Sequence, residues 1–171
     1  EAARVRDAAG VAVEDGGGPP SNPTGYTSVD TINAGVDTRF SYRVMPATPD
    51  TSIDGLDNRN DQAIVAVVLR NLDTADIIEV FNSAFNNANQ VANLPAITPT
   101  NDNCAILALI GIDDDNIAAT ITPPVNFDLV ASSEDAASAT AAIGFYQQGT
   151  AQAIDPGVQG NRDTSHVSTN I

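Results

Sequence analysis

Two short apolar runs, AIVAVVLR at 63–70 and AILALIGI at 105–112, constrain this chain more than any other feature. Each is apolar along nearly its whole length, so neither has a solvent face, and each is bounded by turn-forming residues within about eight positions. The first is rich in β-branched valine and reads as a strand in the middle of a packed sheet. The second is poorer in β-branched residues, which leaves a buried helix as the alternative. TNDN before it and DDDN after it favour a strand. Weaker alternating runs recur at TRFSYRVM (38–45), VNFDLVAS (125–132), ATAAIGFYQ (139–147) and HVSTNI (166–171), each ending at a turn signal. Many short strands with Pro, Gly, Asn and Asp between them, and no regular strand–helix alternation, predict an all-β fold. The expected form is a two-sheet antiparallel β-sandwich, jelly-roll-like.

One segment follows another period. In TADIIEVFNSAFNNANQVANL (74–94), Ile77, Ile78, Phe81, Phe85, Ala88, Val91 and Ala92 fall at helical spacing. Asn82, Asn86, Asn87, Asn89 and Asn93 interrupt it, and asparagine is a mediocre helix former. The segment is expected to be a long crossover between sheets, with two helical turns near 76–85 whose Phe81 and Phe85 plug one end of the core.

The start of the chain is of another kind. EDGGGPPSNPTG (14–25) is too rich in Gly and Pro for a helix or a central strand. It is either a connector or the hinge of an arm. The expected organisation is an N-terminal arm at 1–10 and a single β-sandwich domain at 11–171, built from an internal repeat of 11–70 and 105–171. VAVEDGGGPPSNPTGYTSV (11–29) and IGIDDDNIAATITPPVNFDLV (110–130) both pass from an apolar strand through acids and a Pro-Pro pair to an aromatic and a further strand. TRFSYRVMPA (38–47) then parallels ATAAIGFYQQGTA (139–151), and AIVAVVLR has a shorter counterpart in HVSTNI.

Charge removes several classes of function. The 171 residues carry a net charge of −15, and every basic residue is arginine. Such a surface repels phosphate backbones and lacks the basic stripe of a nucleic-acid binder, so no nucleic-acid or anionic-membrane partner is expected. Most of the acids are Asp, which favours turns. No segment approaches the roughly 18 apolar residues of a membrane-spanning helix, and EAARVRDAAG has no signal-peptide apolar region. Cys104 is the single cysteine and reads as a small core residue.

The candidate metal ligands are Asp113, Asp115 and Asn116. Consecutive aspartates on extended chain point to alternating faces, so Asp113, Asp114 and Asp115 cannot all meet one ion without a tight turn. A solvated loop is the favoured reading; the alternative is a Ca2+ site made by Asp113 and Asp115 with a carbonyl or Asn116, without the spacing of an EF-hand. In DGLDNRND (54–61), Asp54, Asp57 and Asp61 offer a second set, with Arg59 competing. His166 is the sole histidine. Ser165, His166 and Asp163 lie too close on one strand for a triad, and no Gly-x-Ser-x-Gly elbow exists. A surface or subunit-contact histidine is expected. Without Trp, an aromatic groove for a glycan hydrolase is poorly supplied, and GGGPP lacks the helix and Lys of a phosphate loop. No catalytic residue and no cofactor is expected.

The succession PPSNPTGYTSV, FSYRV, AIVAVVLRNLDTADIIEV, PAITPTNDNCAILALIGIDDDN and PPVNFDLVAS resembles β-sandwich modules of bacteriophage virion proteins, in tail-fibre and head-surface contexts. The likeness spans about residues 11 to 171. It includes a Pro-rich turn leading to an aromatic strand and a central strand ending in an Arg-x-x-Asp turn, here Arg70-Asn71-Leu72-Asp73. Modules of this kind commonly carry Trp where this chain has Tyr26 and Phe127. The resemblance implies a structural or attachment role at the particle surface and no transferable reaction. It sets as expectations a virion location, other virion proteins as partners and a homo-oligomer, a trimer by analogy with fibre and decoration proteins. HVSTNI is expected at an open sheet edge. The alternative is a carbohydrate- or host-receptor-binding module.

Overall fold

β-Branching and alternation direct the apolar runs into extended backbone. The computed structural model contains eleven strands and, among the described residues, no helix. It describes residues 7–15, 21–33, 36–46, 48, 51–53, 62–72, 77–86, 92–113, 123–134, 139–155, 157–159 and 166–170. In chain order the strands are β1 (Asp7–Asp15), β2 (Thr27–Asn33), β3 (Val36–Val44), β4 (Gln62–Leu69), β5 (Asn82–Asn86), β6 (Ala92–Leu94), β7 (Ala105–Asp113), β8 (Asp128–Glu134), β9 (Ala139–Gln147), β10 (Gly157–Gln159) and β11 (His166–Asn170). A four-stranded sheet has the order β2-β3-β1-β4 and a five-stranded sheet the order β5-β11-β7-β9-β8; β6 and β10 form a two-stranded ribbon. All pairings are antiparallel.

The two large sheets repeat one plan. β1 and β7 have nine residues each, β2 and β8 seven, β3 and β9 nine. The order β2-β3-β1-β4 returns as β8-β9-β7-β11. Register is kept as well: Val11 stands between Phe40 and Val65, as Leu109 stands between Ile143 and Thr169. Even the irregularity recurs, because the register of β2 on β3 shifts between Ser28 and Asp30, and that of β8 on β9 between Leu129 and Ala131. Each unit enters its second strand through the same turn. The Tyr26 N–H donates to the Pro23 carbonyl and the Phe127 N–H to the Pro124 carbonyl, both at 3.0 Å. The residue before each aromatic has positive φ, 80° at Gly25 and 72° at Asn126, as a type II turn requires. The prolines that correspond are therefore Pro23 and Pro124, not the two Pro-Pro pairs.

One buried cluster takes Phe40, Ala63, Val65 and Val67 from the first sheet and Leu107, Leu109, Ala141 and Ile143 from the second. A second cluster lies on the other face of the second sheet. There Ile106, Ala108 and Phe127 are covered by Leu94 and Ile97. Ile97 and Ile154 exchange backbone hydrogen bonds of 3.0 and 2.8 Å, which ties down this cover. AILALIGI is accordingly a central strand buried on both faces.

Several expectations need correction. AIVAVVLR forms β4 at the edge of its sheet, with Ala63, Val65 and Val67 buried and Ala66 and Val68 exposed. It ends at Leu69, two residues before Asn71, whose φ is 64°. HVSTNI, expected at an edge, supplies β11, which lies between β5 and β7. The described part of 74–94 contains strands where helical turns were predicted. Asparagine explains this: Asn82 Oδ1 accepts from the Ser83 N–H and its Nδ2 donates to the Ala96 carbonyl, so the side chain supports extended backbone. Phe81 and Phe85 are 44% and 36% exposed and plug no core. Asp7 to Gly10, assigned to the arm, are paired on both sides within β1. Read from β4, the order β4-β1-β3-β2 also departs from the Greek-key order on which a jelly roll is built.

Substitutions on β4 distinguish its two faces. Val67→Asp and Leu109→Asp place an unpaired charge in the core and are expected to abolish the cooperative thermal transition. Val68→Asp, one residue from Val67, is expected to keep it. At the turns, Gly25→Val forces a β-branched residue to positive φ and should cost about 1–2 kcal/mol in chemical denaturation. Asn126→Gly is expected to cost almost nothing.

Candidate functional site

Of the sequence-predicted metal ligands, Asp113 alone falls among the described residues. Asp113 closes β7 opposite Ala139. Asp114, Asp115 and Asn116 lie outside the described residues, as do Asp54, Asp57 and Asp61, and Asp163 with Ser165. His166 opens β11, opposite Asn86 on one side and Ile112 on the other. Among the described residues no group of three or more His, Cys, Asp or Glu is placed to hold a metal ion.

The most highly organised polar constellation involves a residue that spacing did not single out, Glu79. Its Oε1 accepts from the N–H and hydroxyl of Thr100, and from the Asn101 N–H at 3.0 Å. The Cys104 thiol donates to Oε2 at 3.2 Å and also reaches the Asn101 carbonyl at 3.1 Å. The Thr100 hydroxyl and the neighbouring donors hold the Glu79 carboxyl down to about 2, although partial desolvation opposes them. Burial, then the hydrogen bond and charge of Glu79, push the Cys104 thiol up to about 11. A carboxylate this acidic is a poor base and a thiol this basic a poor nucleophile. The group works as a latch that pins the 100–104 turn to the strand-free segment before β5. Cys104 is half-buried at the margin of the second cluster, not enclosed in the core. Beyond the latch, Asp102 accepts from the Ala151 N–H at 2.7 Å and the buried Gln148 amide donates to the Gln152 carbonyl at 2.9 Å. The one signal for Glu79 in the sequence was rarity, since glutamate occurs only four times.

What remains for contact with other molecules is the surface. Among the described residues, the large apolar side chains left exposed are Val125 (82%), Val130 (51%), Val68 (50%), Phe81, Leu129, Val44 and Phe85. With the exception of Val44 they lie in, or within a few residues of, strands that end a sheet: β4, β5 and β8. The bulge of β8 is the local cause at one of these, because the register shift there breaks the alternation and leaves Leu129 and Val130 exposed in succession. On β2 the corresponding bulge centres on Val29, which is half-buried against the core, while the neighbouring Thr27, Ser28 and Thr31 are exposed. No known family model, curated protein or solved structure matches the chain.

The latch has a pH signature. Because the folded-state value of Glu79 lies below its ordinary 4.5, its contribution is present above that value and is lost as pH falls toward about 2. Wild type is expected to lose melting temperature over this window relative to Glu79→Gln, with the two curves converging below it, as followed by circular dichroism.

Proposed function

We propose that the two sheets form a face-to-face β-sandwich and that this module is a non-enzymatic structural component of a bacteriophage virion. It decorates the capsid or forms part of a tail or fibre, and it works through protein–protein contacts with copies of itself and with other virion proteins. The observation that carries this reading is the placement of exposed apolar side chains along sheet-ending strands, where a neighbouring chain can cover side chains and backbone together. The core shared by both sheets supports the sandwich, with inner faces formed by alternate residues. The resemblance of the strand and turn succession to virion modules supplies the setting. Strong negative charge agrees with a surface that stays soluble and avoids nucleic acid.

A carbohydrate- or host-receptor-binding role has one observation in its favour, the exposed Phe81 and Phe85, since aromatic faces can stack on sugars. The two readings part in one experiment. Particles carrying the protein are imaged by electron microscopy with wild type, Leu129→Asp with Val130→Asp, or Phe81→Ala with Phe85→Ala. The structural reading expects density on the capsid lattice or tail that the β8 double variant reduces. Normal incorporation of every variant, with host adsorption lost only for the phenylalanine pair, would favour the receptor reading.

A further inference from the structure

The two repeated units differ at one edge. In the second sheet the fourth strand of the unit, β11, is bounded on its outer side by β5, antiparallel from Asn170 opposite Asn82 to His166 opposite Asn86. In the first sheet the corresponding strand is β4, and among the described residues no strand pairs with its outer side. The repeat thus shows what this edge accepts, a fifth antiparallel strand.

Edge strands are usually blunted by charge, proline, bulging or shortness, since a free row of N–H and C=O groups recruits other chains. β4 shows none of these. QAIVAVVL has eight residues with no charge and no proline, and it pairs with β1 without a register shift from Glu14–Gln62 to Asp7–Leu69. The other sheet-ending strands are protected by comparison: β2 and β8 are bulged and β5 has only five residues. On its outward face β4 presents the exposed Ala66 and Val68 and the half-buried Ile64.

We propose that β4 pairs antiparallel with β4 of a second copy of this chain, joining two four-stranded sheets into one continuous sheet. Charge restricts where a second copy can meet the first. Two copies at −15 each repel, so contact must run through an uncharged element, and β4 is one. Its flanks are self-complementary as well, because in sequence it lies between Asp61 and Arg70. In an antiparallel pair the two-fold axis stands perpendicular to the sheet, so one residue faces itself. With Ala66 on the axis, Val68 lies opposite Ile64 of the second copy, which covers the exposed valine. Arg70 then lies opposite Gln62 of the second copy, at both ends of the junction. The interface is isologous and closes at two copies, whereas the trimer expected by analogy needs a heterologous contact.

This inference rests on the reading of the chain as a component that assembles through its sheets, but solution mass tests the pairing separately from particle location. Light scattering of the full chain is expected to give a dimer. Ala66→Lys and Ala66→Asp each set like charges face to face on the axis and are expected to halve the mass while keeping the thermal transition. Mixing the two variants is expected to restore the dimer, since opposite charges then meet. Val68→Lys provides a second disruption on the same face, and Leu129→Lys on β8 should leave the mass unchanged. A wild-type monomer at every concentration, a trimer, or a dimer that survives both Ala66→Lys and Val68→Lys would overturn the proposal.

Discussion

Burial of β7 on both faces is the constraint on which the other elements depend. Ile106 to Ile110 are 0–3% exposed, with Leu107 and Leu109 turned to the first sheet and Ile106 and Ala108 to the other side. Burying each Leu or Ile side chain is worth about 1.5–3 kcal/mol, so a two-layer arrangement that exposed one face of β7 would give up several such terms. The strand therefore requires cover twice. The first sheet provides one cover, and the segment from Leu94 to Ile97, tied to Ile154, provides the other. The Glu79 latch stands at the border of that outer cover, where it fixes the turn that leads into β7.

The two units share a backbone plan and diverge in side chains, and the divergence follows what each outer face meets. Ser41 and Gly144 hold the same register position, as do Arg43 and Tyr146. In the second unit Phe127 packs against Gly144, and its ring centroid lies 5.5 Å from that of Tyr146 beneath the apolar cover. In the first unit the Ser41 hydroxyl donates to Asn22, whose amide donates to the Tyr26 carbonyl, and Arg39 donates to Ser28 at 3.1 Å. A polar lattice thus stands where the other copy has an aromatic pair. The turn tolerates both solutions because its demand is conformational: a residue that accepts positive φ, met by Gly25 in one unit and Asn126 in the other.

Strands and turns were legible in the sequence because they are local. Alternation, β-branching and Pro-x-Gly or Pro-x-Asn signals are written within a few residues, and AILALIGI reads correctly as a central strand for that reason. Position within a sheet is not local. The repeat pointed to an edge for HVSTNI and apolar character to the centre for AIVAVVLR, yet the sheet order puts β11 inside and β4 at the edge. Backbone pairing set by the unit's topology overrode the hydropathy of the individual strand. The segment around β5 failed for a different reason, since its apolar spacing matched a helix while Asn82 bonded to extended backbone. Glu79 was invisible because its partners, Thr100, Asn101 and Cys104, lie more than twenty residues away.

Exposure of an apolar edge and a large negative charge are two halves of one arrangement. β4, β5, β9 and β11 contain no acidic residue, whereas most of the acids fall outside the strands in sequence, as in Asp114-Asp115 and the 54–61 segment. Charge acts over about 8–10 Å at moderate ionic strength, while strand pairing acts only at hydrogen-bond distance. Approach is therefore opposed from most directions, and an uncharged strand flanked by its own acid and base offers the weakest opposition. The same acidity restricts which edge a second copy could reach. An apolar strand at the end of a sheet, unfavourable in a neutral protein, is in this one the edge we propose for pairing.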